Sequence, residues 1–221
     1  MKLLTICCVT IFILLGAISY AESPQNVRPP EARDGNIPRA RWGSLPDGQL
    51  WTRAALSALR GHGQALTRSV PKDIRDWCPA YPEAGQKGRQ AFWIGLLSAL
   101  SKHESTYRAA AVGGGGQWYG LLQILPSTAR GYGCRARSGA ALKNGPDNLS
   151  CAIRIMSVTV PRDGVVSRGM RGVAADWGPF HNRRKRGDMM AWLKRQSYCK
   201  PMSSVRPRLR PERFTQLNSS D

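Results

Sequence analysis

The chain has 221 residues, with 33 Lys and Arg against 14 Asp and Glu, a net charge of +19. That length holds one ordinary domain with a real core and some dispensable ends. Beyond the N-terminus no segment is apolar enough to cross a bilayer, which excludes a membrane-embedded body.

Met1-Lys2 followed by the apolar run from Leu3 to Ala21 reads as a secretory signal peptide, cut after Ala21. A membrane anchor is the rival reading, but the run is shorter than the ~20 residues of a spanning helix and lacks a basic flank behind it. Loss of residues 1–21 takes one Lys from the 33 bases and none of the 14 acids, leaving 32 against 14, a net +18. Such a charge attracts polyanions: nucleic acid, acidic lipid headgroups or an anionic polysaccharide. Export removes most nucleic acid and leaves cell-envelope polymers, so the expected location is the periplasm or the exterior.

Cys7 and Cys8 leave with the signal, and Cys78, Cys134, Cys151 and Cys199 remain. An even number in an oxidising compartment implies two disulfides, for which sequence permits three pairings. The expected pairs are Cys134–Cys151, closing a local loop, and Cys78–Cys199, tying the front of the domain to its last helix. Zinc is disfavoured: there is no Cys-x-x-Cys, and His62, His103 and His181 are scattered. Neither a metal nor a cofactor is expected.

Residues 22–46, with Pro24, Pro29, Pro30, Pro38 and Pro46, read as a poorly ordered leader. From there the pattern is helical throughout. Helices are expected over Trp51 to Leu59, Val70 to Trp77 and, longest, Lys87 to Lys102, where Phe92, Trp93, Leu96, Leu97 and Leu100 recur at helical spacing. Pro126 suits the first turn of another short helix. Asp147 to Val160, Arg171 to Trp177 and Lys185 to Tyr198 complete the set, with no convincing strand. The Gly113-Gly114-Gly115-Gly116 run suggests a mobile rim or a tolerated insertion. Residues 200–221, basic and proline-punctuated, form a disordered tail or an electrostatic tether. The expected architecture is mainly α: one domain over residues 47–199, flanked by the signal peptide and disordered basic or Pro-rich ends.

Within that domain Glu104 holds the chemistry. At about 100° per residue, positions 93, 97, 100 and 104 share one helix face, so Glu104 continues an inward stripe of Trp93, Leu97 and Leu100. A carboxyl there loses water and favours its neutral form, which is what protonating a glycosidic oxygen requires. Gly120 lets backbone approach a sugar closely, and the Gln123 amide offers both donor and acceptor to an N-acetyl group or hydroxyl. Tyr107, Trp118 and Tyr119 are candidate stacking faces for sugar rings, at least one of them core.

The string Glu104-Ser105-Thr106-Tyr107-Arg108-Ala109-Ala110-Ala111-Val112 resembles the Glu-Ser motif of the soluble-lytic-transglycosylase-type (SLT) domain, a lysozyme-like family. Gly120-Leu121-Leu122-Gln123 is similar to that family's Gly-Leu-Met-Gln, with Leu122 in place of Met, and Pro126, Thr128 and Ala129 also match. Asp147-Asn148-Leu149 is similar to the element that opens the family's next helix, so the resemblance covers roughly residues 90–180. One motif departs: the family's Ala-Tyr-Asn-Ala-Gly is replaced by Ala174-Ala175-Asp176-Trp177-Gly178-Pro179, and either Asp176 or Trp177 takes the tyrosine's place. An Asp near Glu104 would raise the acid's affinity for its proton and reopen hydrolysis by two carboxylates.

What the resemblance implies is a lysozyme-like fold with a catalytic cleft and a peptidoglycan lytic transglycosylase. Glu104 would act as acid and then base, closing a 1,6-anhydro ring on MurNAc. The substrate-binding set would be Ser105, Tyr119, Gly120, Gln123, Asp176 and Trp177, with peptidoglycan glycan strands as partner. A protein of the envelope or of a secretion machine is a further candidate partner, and a monomer is expected. The rivals are a muramidase cutting the same bond, a non-catalytic wall-binding or assembly factor, and a nucleic-acid-binding protein. The last is disfavoured by export and by arginines spread through tails and loops.

Overall fold

The computed structural model describes residues 37–201; the segment expected to be a signal peptide, most of the expected leader and the tail from residue 202 lie outside them. Among the described residues there are eight α-helices, seven of them arranged around a long central one. They are α1 (Gly48–Arg60), α2 (Gln64–Arg68), α3 (Ile74–Trp77), α4 (Gln86–Glu104), α5 (Pro126–Gly131), α6 (Gly139–Leu142), α7 (Gly145–Asp163) and α8 (Arg183–Lys194). Among the described residues, no helix is long and apolar enough to cross a membrane.

α4 is buried on every side from Gln90 to Ser101, so it carries no one-sided stripe. The inward stripe expected at 93, 97 and 100 is therefore one line on a wholly enclosed helix, as an all-round apolar surface requires. Tyr81, Phe92 and Trp93 meet edge to face around it, and the Trp93 indole donates to the Tyr81 hydroxyl at 2.9 Å.

The packed domain starts before the expected boundary at residue 47. Trp42 is fully buried, meets Trp51 edge to face at 5.7 Å and donates its indole N–H to Thr52. One large aromatic side chain anchors this proline-bearing segment without any periodic pattern. At the other end, the Cys78–Cys199 disulfide bridges 121 residues, and Cys134–Cys151 closes a 17-residue loop. Both suit an oxidising compartment.

Three expected helices are shorter than their patterns. Val70 to Trp77 shrinks to α3, because Asp73 is drawn aside: its buried carboxylate accepts the backbone N–H groups of Val166, Ser167 and Arg168 at 2.6, 2.9 and 2.9 Å. Arg171 to Trp177 is a single 3₁₀ turn over Gly172–Ala175, entered through Gly172 at φ +63°. Lys185 to Tyr198 ends as α8 at Lys194, and a 3₁₀ turn over Ser197–Cys199 brings Cys199 to Cys78.

A small hairpin is present where no strand was expected: β1 (Val112–Gly113) pairs antiparallel with β2 (Trp118–Tyr119). The glycine run is its turn. Gly114, Gly115 and Gly116 adopt φ of +57°, +64° and +92°, a succession open to glycine and costly to other residues. The run is thus a defined chain reversal.

Candidate active site

Glu104 is the last residue of α4, where the enclosed helix reaches the surface. Its carboxyl is half-buried, and burial pushes its pKa up from 4.5 to about 7, with the Lys185 cation pulling the other way. Among the described residues, nothing donates a hydrogen bond to that carboxyl. Loss of water is therefore the dominant influence, and at neutral pH the group can both give and take a proton.

The backbone around it is held in a strained form. Thr106 and Tyr107, which follow directly, adopt φ of +53° and +64°, and Gln123 adopts +46°. Left-handed non-glycine residues cost on the order of 1 kcal/mol each and persist where surroundings fix them. Here the fixing is visible: the Ser105 carbonyl accepts from the Thr106 hydroxyl at 2.6 Å and from the Arg108 N–H groups of backbone and side chain at 3.2 Å. Beside Glu104, His103 Nε2 donates to Asp188 at 2.8 Å, and both terminal nitrogens of Arg41 grip the same carboxylate at 2.5 and 3.0 Å. Arg41, then His103, holds the Asp188 carboxyl well below the usual range. This knot ties the end of α4 to α8, one turn beyond Lys185.

The Gly120–Gln123 turn is clamped from below by Asn148, a buried side chain in the first turn of α7. Its Oδ1 accepts from Leu122 N–H at 2.9 Å, and its Nδ2 donates to the carbonyls of Tyr119 and Leu142 at 2.9 and 3.0 Å. Gly120 at φ +83° makes room for the clamp: a Cβ there would lie 2.1 Å from the Leu142 oxygen and 2.3 Å from Asn148 Nδ2. On the other flank the Trp177 indole donates to the Leu122 carbonyl at 2.9 Å. The Gln123 amide nitrogen bonds the Gly120 carbonyl at 2.9 Å, fixing the side chain.

A cavity of about 70 Å³ opens beside this turn, lined by Trp118, Gln123, Thr128, Ile155, Asp176 and Trp177 among others. The Trp118 ring backs onto Gly114, where a Cβ would sit 2.2 Å from it, and the side chain stays 43% exposed. That combination of a supported face and an open face is what a sugar-stacking platform needs.

Several expected contacts are placed otherwise. Ser105 is buried, and its hydroxyl donates back to the Ser101 carbonyl at 3.3 Å, at the C-terminal end of α4. Gly120 is buried against Asn148 and Leu142, so its missing side chain serves packing and not approach to a sugar. Tyr119 turns to the opposite side of the hairpin from Trp118, its ring over Gly139 and its hydroxyl on the Gly116 carbonyl at 2.5 Å. Trp177 is buried, so it borders the cavity as part of the core. Gln123 and Asp176 do line the cavity.

Asp176 has its own electrostatic neighbourhood. Burial raises its pKa, Arg162 lowers it and Asp163 raises it, whereas the charge acting on Glu104 is Lys185. Neither carboxyl is among the charges that shift the other. Lys185 and Asp188 carried no sequence signal, since they fall in a run of charges on an exposed helix. Asn148 was legible as a motif element but not as a clamp.

With this geometry in place, relatives can be compared. Residues 83–165 match the Transglycosylase SLT domain family. Solved structures of DslA, one wild-type and two glutamate-to-glutamine mutants, superpose on the chain with TM-scores of 0.67 to 0.68 at 28% identity. They cover 74% of this chain and 99% of theirs. No curated protein matches. The described residues thus have a mainly helical, lysozyme-like fold, within which residues 83–165 are similar to the SLT domain.

Proposed function

We propose that the chain is an exported peptidoglycan lytic transglycosylase that cuts the β-1,4 bond between MurNAc and GlcNAc. The reading rests above all on Glu104: a half-buried acid with a pKa near 7, no hydrogen-bonded partner among the described residues, and a cation nearby. Most glycosidases place two carboxylates across the bond, and substrate-assisted enzymes are the recognised exception. A lone acid suits the exception.

In the proposed cycle the protonated Glu104 gives its proton to the oxygen leaving the MurNAc anomeric carbon. The substrate's own N-acetyl group supports the positive charge that develops. Glu104, now a carboxylate beside Lys185, removes the proton of the C6 hydroxyl, whose oxygen closes onto the anomeric carbon. The acid regains its proton, and no water is consumed. Gln123, Asp176 and the Trp118 ring supply polar and stacking contacts for the aminosugar next to this step.

Mass analysis of muropeptides released by the purified mature chain tests the reading. Products should be lighter by one water than lysozyme products, and Glu104→Gln should release none while remaining folded. Reducing-end MurNAc alone would assign hydrolysis instead.

A further inference from the structure

α1 and α7 lie side by side, and the groove between them opens into a cavity of about 510 Å³. It shares no residue with the Trp118 cavity, nor with the surroundings of Glu104. Its size falls within the span that holds small ligands. The α1 side is a row of small residues, Ala54, Ser57, Ala58 and Gly61, at the spacing of one helix face. Nothing bulky fills the trough, so an extended chain can lie against the helix backbone.

The charges of the groove do not cancel. Arg135 and Asp147 pair with each other. Arg154, half-buried in α7, also lines the cavity, and among the described residues its guanidinium has no ion pair and no hydrogen-bond acceptor. A guanidinium on the cavity wall with no acceptor is an incomplete anion site, and its planar fork suits a carboxylate. His62 borders the same space. Its Nε2 must donate to the Ser150 carbonyl at 2.9 Å, which leaves Nδ1 as the ring's remaining polar atom.

We propose that this groove is a second ligand site, holding a peptide stem of peptidoglycan by its carboxylate on Arg154. It rests on the wall-polymer reading of the substrate given above, and concerns grip on the wall, not bond cleavage. Stem carboxylates are the anions that such a polymer repeats along its length. A fixed site for one of them would keep the domain on a strand while Glu104 meets successive sugars.

The test uses the mature chain with Glu104→Gln, so that the wall survives, in cosedimentation with purified sacculi. Adding Arg154→Gln should weaken binding about tenfold and flatten its salt dependence, with Arg154→Lys intermediate. Ser57→Trp, which fills the trough from its exposed wall, should cause a similar loss without touching the charge. On glycan strands stripped of stems by an amidase, the single variant and the double variants should bind alike. Unchanged binding to intact sacculi by Arg154→Gln or Ser57→Trp overturns the proposal. An equal loss on stripped strands overturns the carboxylate assignment. Failure of the catalytic reading would show separately, as cleavage that survives Glu104→Gln.

Discussion

The indole N–H of Trp177 reaches the carbonyl of Leu122 across 2.9 Å, so the departed third motif holds the backbone directly before Gln123. Leu122 is thereby gripped at both ends of its peptide unit, its N–H by Asn148 and its carbonyl by Trp177. Trp177→Phe keeps the ring and removes the donor. The buried carbonyl it abandons should cost about 1–2 kcal/mol of stability. Because the turn carries Gln123, wall clearing should fall as well. Thermal melts paired with turbidity assays check both effects.

The proton on Glu104 has a consequence for stability whose sign is fixed. The native carboxyl titrates near pH 7 and the unfolded one near its ordinary 4.5, so between those values the native state binds more protons. Stability from this group is complete below about pH 4.5 and is lost as pH rises through about 7. The loss is on the order of 3 kcal/mol. Glu104→Gln escapes it. The variant should melt higher than the parent at pH 8 and at about the same temperature at pH 4; equal melting at pH 8 would contradict the burial of this carboxyl.

Activity should run in the same direction. A proton donor with pKa near 7 makes kcat/KM fall above that pH. Lys185 lowers the pKa of Glu104, so Lys185→Gln should displace the falling limb to higher pH. A residue that served α8 alone would change the rate and leave the midpoint where it was.

Asp73 is a structural prediction far from any chemistry. Its buried carboxylate collects three successive backbone N–H groups of the 166–168 loop. Asp73→Ala strands all three and should cost about 3 kcal/mol, read as a fall in the denaturation midpoint.

Trp118→Ala should behave oppositely. The side chain is 43% exposed, so stability should hardly move. Affinity for glycan strands should drop about tenfold if the ring stacks on a sugar. Cosedimentation with stripped strands measures it.

Much of this was legible in the sequence where a single residue type forces the outcome. Pro126 opens α5, apolar spacing marks α4, and the Glu104-Ser105 and Gly120-to-Gln123 strings fall on the end of that helix and on a clamped turn. What was not legible depended on partners distant in sequence. Trp42 looked like part of a disordered leader because its anchor, Trp51, is a helix away and its neighbour Arg41 pairs with Asp188. Asp73 falls inside the helix expected over Val70 to Trp77, because the partners that draw it out lie about ninety residues on. Gly120 was read as opening space for a sugar, whereas the space is taken by Asn148 and Leu142. The exposed platform, Trp118, differs from buried-side Tyr119 only by the alternation of a two-residue strand that no pattern of that length reveals.

One helix, α7, serves the glutamine turn, the cavity beside it and the separate groove. Its first turn supplies Asn148, its middle supplies Cys151, Arg154 and Ile155, and its last residue, Asp163, caps the next loop through the Gly172 N–H. It is a shared beam, and damage to it propagates to the glutamine turn and the groove simultaneously. Exchanging this segment between homologous chains would therefore transplant or destroy these properties as a bundle, never one by one.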